Sequence, residues 1–210
     1  RIPSEAANIP EFVNIDFEDW NSIETTILQQ EHYSDIRAVS QGRKGDFKGA
    51  EEEFGRAIEK DPEDFKNWGD RGFMKMKQRD FQGALSDFDK ALQLNPNDHQ
   101  LYYARAYCLI ELGSTQRAVE NLSKSIELKP DFVKGIYERG LLYYNIGEYG
   151  KSIRDYDKAL ELAPGNYLAY LGRGLSLIEI GDREAACRDF HKAYELGSME
   201  AQRAIEAYCR

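Results

Sequence analysis

Side chains that could support catalysis or bind a metal ion are few and scattered in this sequence. The three histidines, His32, His99 and His191, lie far apart and at unrelated points of the repeating pattern described below. They therefore cannot converge on one metal ion or form a catalytic triad. Carboxylates are numerous, but they alternate with lysine at helical spacing, as in EEEFGRAIEK at 51–60, which is typical of a solvated helix face.

Two glycine-rich segments contain incomplete versions of phosphate-binding motifs. Gly172 and Gly174 begin a GxGxxG pattern, but Leu177 occupies the place of the third glycine. The segment GRKGDFKG at 42–49 lacks the GxxxxGK[ST] spacing of a phosphate loop. We therefore predict no cofactor, no metal and no catalytic residues, and we expect that the chain is not an enzyme.

The cysteines allow two interpretations. Three cysteines, Cys108, Cys187 and Cys209, are too few for a disulfide scaffold, and no CxxC motif occurs. Cys108 and Cys187 fit positions of small apolar core residues. Alternatively, a C-terminal helix folding back at Gly197 and Ser198 would bring Cys187 opposite Cys209, which allows a disulfide and would imply an oxidising compartment.

Charge and hydropathy exclude two classes of partner. The chain has 28 Lys and Arg against 37 Asp and Glu, a net charge of -9, which disfavours attraction to nucleic acid or anionic lipid. No stretch approaches the ~18 apolar residues that a membrane-spanning helix needs. We expect no nucleic-acid partner and no membrane insertion. Because the chain begins at Arg1 rather than at Met, we expect a trimmed sequence without its targeting signal, and we assign no compartment.

The chain contains an internal repeat, and the elements that must position any site belong to it. Prolines recur at a constant interval, which is the period of the repeat. This proline row consists of Pro62, Pro96, Pro130 and Pro164. Before each of these prolines, a large residue lies between two small ones at spacings that place all three on one helical face. A fifth triplet of the same kind has no proline after it. These triplets are Ala50, Phe54, Ala57; Ala84, Phe88, Ala91; Ala118, Leu122, Ser125; Ser152, Tyr156, Ala159; and Ala186, Phe190, Ala193.

A second helical stripe precedes the first in each unit and pairs a large residue with a small one. The pairs are Trp68 and Gly72, Tyr102 and Ala106, Ile136 and Gly140, and Tyr170 and Gly174. Each unit is therefore predicted to form two short antiparallel helices in close contact. Glycine occupies the turn between them at Gly45, Gly113, Gly147 and Gly181, where a left-handed backbone is expected, and Arg79 is the exception.

This pattern resembles the tetratricopeptide repeat, a helix-turn-helix unit of about 34 residues with W..LG..Y, A...F and a closing proline. The resemblance implies an all-α fold, a right-handed α-solenoid of five repeats with a C-terminal capping helix. The repeats are predicted at 31–64, 65–98, 99–132, 133–166 and 167–200, and the cap at 198–210. The cap should turn Ala201, Ala204, Ile205 and Tyr208 inward.

The sequence departs from the family pattern at the position before the small residue, which is arginine instead of leucine in every unit: Arg37, Arg71, Arg105, Arg139 and Arg173. Sixteen residues after each arginine comes a carboxylate or amide: Glu53, Asp87, Asn121, Asp155 and Asp189. A ladder that binds anions is one interpretation. The favoured one is a charge-assisted pair between the two helices of each unit.

The first 30 residues match no repeat and contain one arginine against six acidic residues. We expect residues 1–16 to be extended and 17–30 to be helical, because Ile9, Phe12, Val13 and Trp20 are too apolar for a free tail. Capping of the first repeat is the favoured role. The alternative is that this acidic N-terminal segment lies in the binding groove.

The resemblance implies that the first helices of the units line a concave groove that holds a partner's peptide or helix. By helical phase the groove residues are Phe73, Met76, Tyr103, Tyr107, Ile110, Tyr137, Leu141, Tyr144, Leu171 and Leu175, with Lys66 and Lys134 at the rim. The Lys, Asn and Arg clamp for the acidic tails of chaperones is absent, which argues against that ligand. An apolar, tyrosine-rich surface favours an apolar segment or an amphipathic helix.

The predicted function is a non-catalytic scaffold that binds a protein or peptide partner. Two alternatives are open: a self-assembling structural protein, and the docking part of a longer, trimmed enzyme. The ending from Gly197 to Cys209 is similar to the tails of bacterial repeat proteins, many of them exported, which favours a bacterial source and is compatible with export.

Overall fold

The computed structural model describes residues 44–209, and these residues form helices and turns without a strand. The helices are α1 (Phe47–Lys60), α2 (Phe65–Lys77), α3 (Phe81–Leu94), α4 (His99–Glu111), α5 (Thr115–Leu128), α6 (Val133–Asn145), α7 (Tyr149–Leu162), α8 (Tyr167–Glu179), α9 (Arg183–Glu195) and α10 (Met199–Tyr208). We call α2, α4, α6 and α8 the first helices; each begins at the same position of its repeat. The all-α solenoid predicted from the sequence is confirmed. The expectations for residues 1–30 and for Arg37 lie outside the described residues.

Short sequence signals set the ends of these helices. Asp46, Asp80 and Asp182 cap the N-termini of α1, α3 and α9, each accepting a hydrogen bond from the backbone N–H three residues later. Helices α1, α3, α5 and α7 each end two residues before a proline of the repeat row. Proline disfavours helical geometry in the residue before it, so the chain leaves the helix at that point.

The turn after each first helix has the left-handed backbone that the glycine row predicts. The φ angles are +71° at Gly113, +78° at Gly147 and +87° at Gly181, and +80° at Gly45 before α1. Arg79 adopts the same conformation with a φ of 62°, although it carries a side chain. The turn of the second unit therefore keeps the backbone geometry of the repeat, although arginine disfavours a left-handed conformation.

Small residues let the two helices of each unit approach closely. A Cβ atom added to Gly72 would lie 2.7 Å from the ring of Phe88, and one added to Gly174 would lie 2.5 Å from the ring of Phe190. Neither glycine can therefore gain a side chain without displacing an aromatic ring from the core. Phe88 and Phe190 are fully buried, as the repeated large-and-small pattern predicts.

The arginine row pairs with the residues 16 positions later, as the favoured interpretation predicts. Two hydrogen bonds of 2.7 to 2.9 Å join Arg71 to Asp87, Arg139 to Asp155 and Arg173 to Asp189, and one of 2.6 Å joins Arg105 to the amide oxygen of Asn121. The asparagine contact keeps the geometry with a neutral acceptor. These guanidinium groups are therefore engaged inside the protein and are not a free anion-binding ladder.

Three of these arginines also link neighbouring units, a contact that was not predicted from the sequence. Arg105 contacts Asp89 at 2.7 Å and Arg173 contacts Asp157 at 2.6 Å, in each case on the second helix of the preceding unit. Arg139 donates to the hydroxyl of Ser123 at the equivalent place. Each partner lies 16 residues before its arginine, so the spacing that predicted one contact could have predicted both.

The last helix covers the end of the stack. In α10, Ala201 and Ala204 are buried against α9, and Ser198 caps the helix by accepting a hydrogen bond from the Ala201 N–H. A disulfide joins Cys187 on α9 to Cys209, so the disulfide alternative is correct for these two cysteines. Cys108 is a buried free thiol. Among residues 44–209, no helix has the length and apolar character to cross a membrane.

Candidate partner-binding surface

The first helices form one continuous surface, here called the first-helix surface. Helix α2 contacts α4, and α6 contacts α8. Helix α4 is linked to α6, because the Tyr103 hydroxyl on α4 donates a hydrogen bond of 2.6 Å to the Glu138 carboxylate on α6. These contacts skip the second helices, so residues on consecutive first helices lie side by side.

The twelve residues predicted for the groove fall into two sets. Six are buried in the structure, with at most 7% of their surface exposed: Phe73, Met76, Tyr103, Tyr107, Leu171 and Leu175. The other six are half-buried: Lys66, Ile110, Lys134, Tyr137, Leu141 and Tyr144. The structure therefore places the whole predicted set on the first helices but leaves only the second set with appreciable contact with solvent.

Ring contacts accompany the burial of the three aromatic residues of the first set. Phe73 packs edge-on against Phe88 with ring centroids 5.1 Å apart, and Tyr107 packs against Phe81 at 6.0 Å. Tyr103 contacts the ring of Phe132, which directly precedes α6, at 5.1 Å. These rings fill the spaces within and between units, so they support the surface from below.

The half-buried set provides the accessible apolar area. Ile110, Tyr137 and Tyr144 each lean on a buried cluster, and burial raises the pKa of both tyrosines to about 12. Leu141 differs because it packs against none of the buried clusters of the described chain. It is therefore the large aliphatic side chain of α6 that a partner can cover without disturbing the core.

A buried polar group that the sequence pattern did not predict lies within this otherwise apolar surface. Glu138 is 5% exposed, and burial raises the pKa of its carboxyl to about 7, although the Tyr103 hydrogen bond and Lys134 oppose the increase. Lys134 lies one turn earlier on α6, with its Nζ 5.8 Å from the centre of the Tyr103 ring. We call Tyr103, Lys134 and Glu138 the polar cluster.

A second acid occupies the equivalent position two units earlier. This acid is Asp70 on α2, and burial, followed by the charge of Asp64, raises its pKa to about 7. The intervening unit has Ala104 at this position and the last has Gly172. Acids at a repeat position that otherwise holds small residues were the available signal for the polar cluster.

Comparisons with known proteins agree with this architecture. Family models of the tetratricopeptide repeat match residues 75–133 and 133–166. No curated protein matches the chain in sequence. A crystal structure of MamA is 28% identical, with a TM-score of 0.75, and the alignment covers 82% of this chain and 99% of that one.

Two further solved structures have the same fold. MamA from Desulfovibrio magneticus RS-1 is 22% identical, with a TM-score of 0.70 over 85% of this chain and 95% of that one. YrrB, described as a tetratricopeptide-repeat protein with an unusual peptide-binding site, is 20% identical, with a TM-score of 0.74 over 87% of this chain and 97% of that one.

Proposed function

On the premise that this chain is a tetratricopeptide-repeat protein, we propose that it is a non-catalytic interaction module that binds a peptide or helix of a partner protein on its first-helix surface. The single observation that carries the proposal is the half-buried apolar set on consecutive first helices, with Leu141 outside every buried cluster of the described residues. Contiguous apolar area of this kind on a folded chain usually marks a binding site.

The chemistry of the surface favours an apolar or amphipathic segment as the partner. Tyrosine supplies large contact area at low entropic cost, and Tyr137 and Tyr144 lie on α6 beside Leu141. Lys66 and Lys134 are the basic residues of the predicted rim. A Lys, Asn and Arg clamp is absent from the equivalent positions of the sequence, so the acidic tail of a chaperone is not the ligand that we propose.

Self-assembly is the second candidate, and one observation favours it. The first 30 residues combine a strong negative charge with apolar residues such as Phe12 and Trp20, which is the composition of a segment that could bind the same kind of surface on another copy. The third candidate, a docking part of a longer enzyme, keeps the same binding surface and differs only in what is attached to it.

The test is a substitution that adds charge to the accessible part of the surface. Leu141→Glu should abolish partner capture in a pull-down while helicity and the unfolding midpoint stay close to those of the parent. Leu162→Glu is the matched control, because Leu162 is 38% exposed and ends α7, which is a second helix and carries none of the predicted groove residues. Equal capture by Leu141→Glu and Leu162→Glu would place the binding site elsewhere.

Light scattering on the same variants separates the candidates. If copies assemble through this surface, Leu141→Glu should convert the assembly to monomers, and removal of residues 1–20 should do the same. If a foreign partner binds there, the mass of the free protein should be that of a monomer in all variants. If the N-terminal segment of the same chain competes for the surface, its removal should strengthen partner capture.

A further inference from the structure

Two buried atoms of the polar cluster have no hydrogen bond to any other described residue. They are the second carboxylate oxygen of Glu138, Oε2, and the Nζ of Lys134, and both belong to side chains that contact Tyr103. Buried polar atoms are nearly always hydrogen-bonded in folded proteins, and an unpaired one is costly. One unpaired acceptor and one unpaired donor therefore point to a ligand that supplies the missing groups.

The two atoms do not hydrogen-bond to each other. Tyr103 donates its hydroxyl hydrogen to Oε1 of Glu138 at 2.6 Å, which leaves Oε2 as the oxygen free to accept. Lys134 lies one turn from Glu138 on the same face of α6, with its ammonium group directed toward the Tyr103 ring. That cation–π contact stabilises the charge but supplies no acceptor for the ammonium hydrogens.

The charges decide which class of ligand fits. A simple cation would pair with Glu138 but would lie beside the ammonium of Lys134, and a simple anion would pair with Lys134 but would lie against the carboxylate. A neutral amide avoids both repulsions, since it has no net charge and carries both an N–H donor and a C=O acceptor. An N–H of the amide matches the unpaired oxygen, and its C=O matches one of the three donors of the ammonium group.

We propose that Lys134 and Glu138 together hold an amide group of the bound partner segment. Both atoms are buried in the free protein, so the half-buried Lys134 side chain moves outward as the amide enters. The amide N–H then donates to Oε2 of Glu138, and the amide oxygen accepts from Nζ of Lys134, while Tyr103 keeps the carboxylate in position. This inference rests on the proposed function, because the amide belongs to a segment on the first-helix surface. The amide is either a main-chain group of an extended segment or the side-chain carboxamide of Asn or Gln.

A titration with small amides tests the proposal without a partner protein. The full chain, labelled with carbon-13 and nitrogen-15, is titrated with N-methylacetamide as a main-chain probe and with propionamide as a carboxamide probe. We expect saturable shifts of the Glu138 carboxyl carbon and the Lys134 ammonium nitrogen, and the tighter of the two probes identifies the source. N,N-dimethylacetamide, which has no N–H, should bind at least about tenfold more weakly.

Two lysine variants provide the matched comparison. Lys134→Met keeps the length of the side chain but removes the donor, and it should weaken amide binding about tenfold or more. Lys66→Met changes the equivalent position two units earlier and should leave the Glu138 titration unchanged. Both positions are half-buried, so the variants are expected to fold, and the dispersion of the amide spectrum checks this.

Several results would overturn the proposal. They are binding of acetate or methylammonium as tight as that of the amides, equal binding of N,N-dimethylacetamide, and an unchanged affinity in Lys134→Met. An absence of saturable shifts would show that Lys134 and Glu138 satisfy each other in solution. None of these results alters the effect of Leu141→Glu on partner capture, so failure here is distinct from failure of the proposed function.

Discussion

At the scale of single residues, the ionisation of Glu138 makes the stability of the folded protein depend on pH. The carboxyl has an ordinary pKa of 4.5 and a pKa of about 7 in the folded protein, chiefly because burial disfavours its charged form. Between pH 4.5 and about pH 7, the folded state therefore binds more protons at this carboxyl than the unfolded state does. Its contribution to stability is therefore fully present below pH 4.5 and is lost as the pH rises through 7.

The corresponding prediction compares the parent with Glu138→Gln, which cannot ionise. From pH 5 to pH 8 the parent should lose about 2 to 3 kcal/mol of unfolding free energy relative to the variant, measured by urea unfolding at both values. Asp70→Asn should reveal a separate loss in the same direction, because burial also raises the pKa of Asp70 to about 7. Parallel pH profiles for the parent and Glu138→Gln would contradict the prediction.

Arg79 is a second residue that affects stability, in this case through its backbone conformation. Its φ of 62° lies in the left-handed region that costs residues other than glycine about 1 to 2 kcal/mol. The Arg79 side chain is 75% exposed, its ion pair with Glu111 is 3.4 Å long and its guanidinium lies 5.5 Å from the centre of the Phe81 ring, so only weak contacts are lost with the side chain. Arg79→Gly should therefore raise the unfolding free energy by about 1 kcal/mol, as measured with urea.

The reciprocal change provides the control for this position. Gly147→Arg places arginine at the same turn of a unit that has glycine, with a φ of +78° and open space around the Cβ position. It should lower the unfolding free energy by about 1 kcal/mol. If both substitutions destabilise the protein, the side chain of Arg79 contributes more than its backbone costs.

The helix pairs show what sequence could and could not predict at the scale of elements. Contacts within a unit were predictable because they depend on a fixed spacing, which is the same from Arg139 to Asp155 as from Gly72 to Phe88. The exposure of side chains on the first helices was not predictable in this way, since it depends on aromatic rings from neighbouring elements. Phe132, for example, packs on Tyr103 from the turn before the next first helix.

The arginine pairs predict how strongly α6 and α7 are joined. Arg139 donates two hydrogen bonds to Asp155, whose side chain is 10% exposed, and a third to Ser123 on α5. Arg139→Ala leaves that carboxylate nearly buried and unpaired, so we expect a loss of about 3 kcal/mol in unfolding free energy. Replacing both partners, as Arg139→Met with Asp155→Leu, should recover most of it.

An exposed pair serves as the control for this element. Arg188 and Glu184 on α9 are paired at 2.6 Å, but their side chains are 65% and 89% exposed. Arg188→Ala should therefore leave the unfolding midpoint unchanged within error. A loss below about 0.5 kcal/mol for Arg139→Ala would show that its pair behaves like an exposed one and would restore the anion-binding interpretation.

For the whole molecule, the repeat explains why the fold was more predictable than the site. Each structural signal occurs several times along the chain, so an exception such as Arg79 does not obscure the pattern. A binding surface instead depends on residues that differ between units, such as Glu138 where the neighbouring units have Ala104 and Gly172. A signal that does not recur in every unit is hard to recognise by periodicity, and its partners become visible only when the helices are packed.

The same one-dimensional arrangement governs stability, because each unit contacts mainly its neighbours. Helix α10 covers the last apolar face with Ala201 and Ala204, and the disulfide between Cys187 and Cys209 fixes it to α9. Removing the chain from Ser198 onward exposes that face and removes the disulfide together. The damage should therefore be greatest in the last unit and should decrease toward the centre of the stack.

Hydrogen exchange along the chain measures that gradient. After the deletion, amides of α9 should exchange at least about tenfold faster, those of α8 less so, and those of α4 and α5 at nearly the parent rate. Cys209→Ser is the matched control: it removes the disulfide, which closes a loop with a sequence separation of 22, but keeps the apolar contacts of α10. The control should loosen α10 itself and affect α9 less than the deletion does, because Ala201 and Ala204 still cover the end. Uniform acceleration from α2 to α9 would show that the units unfold as one cooperative body, and unchanged exchange in α9 would show that the last unit needs no cap.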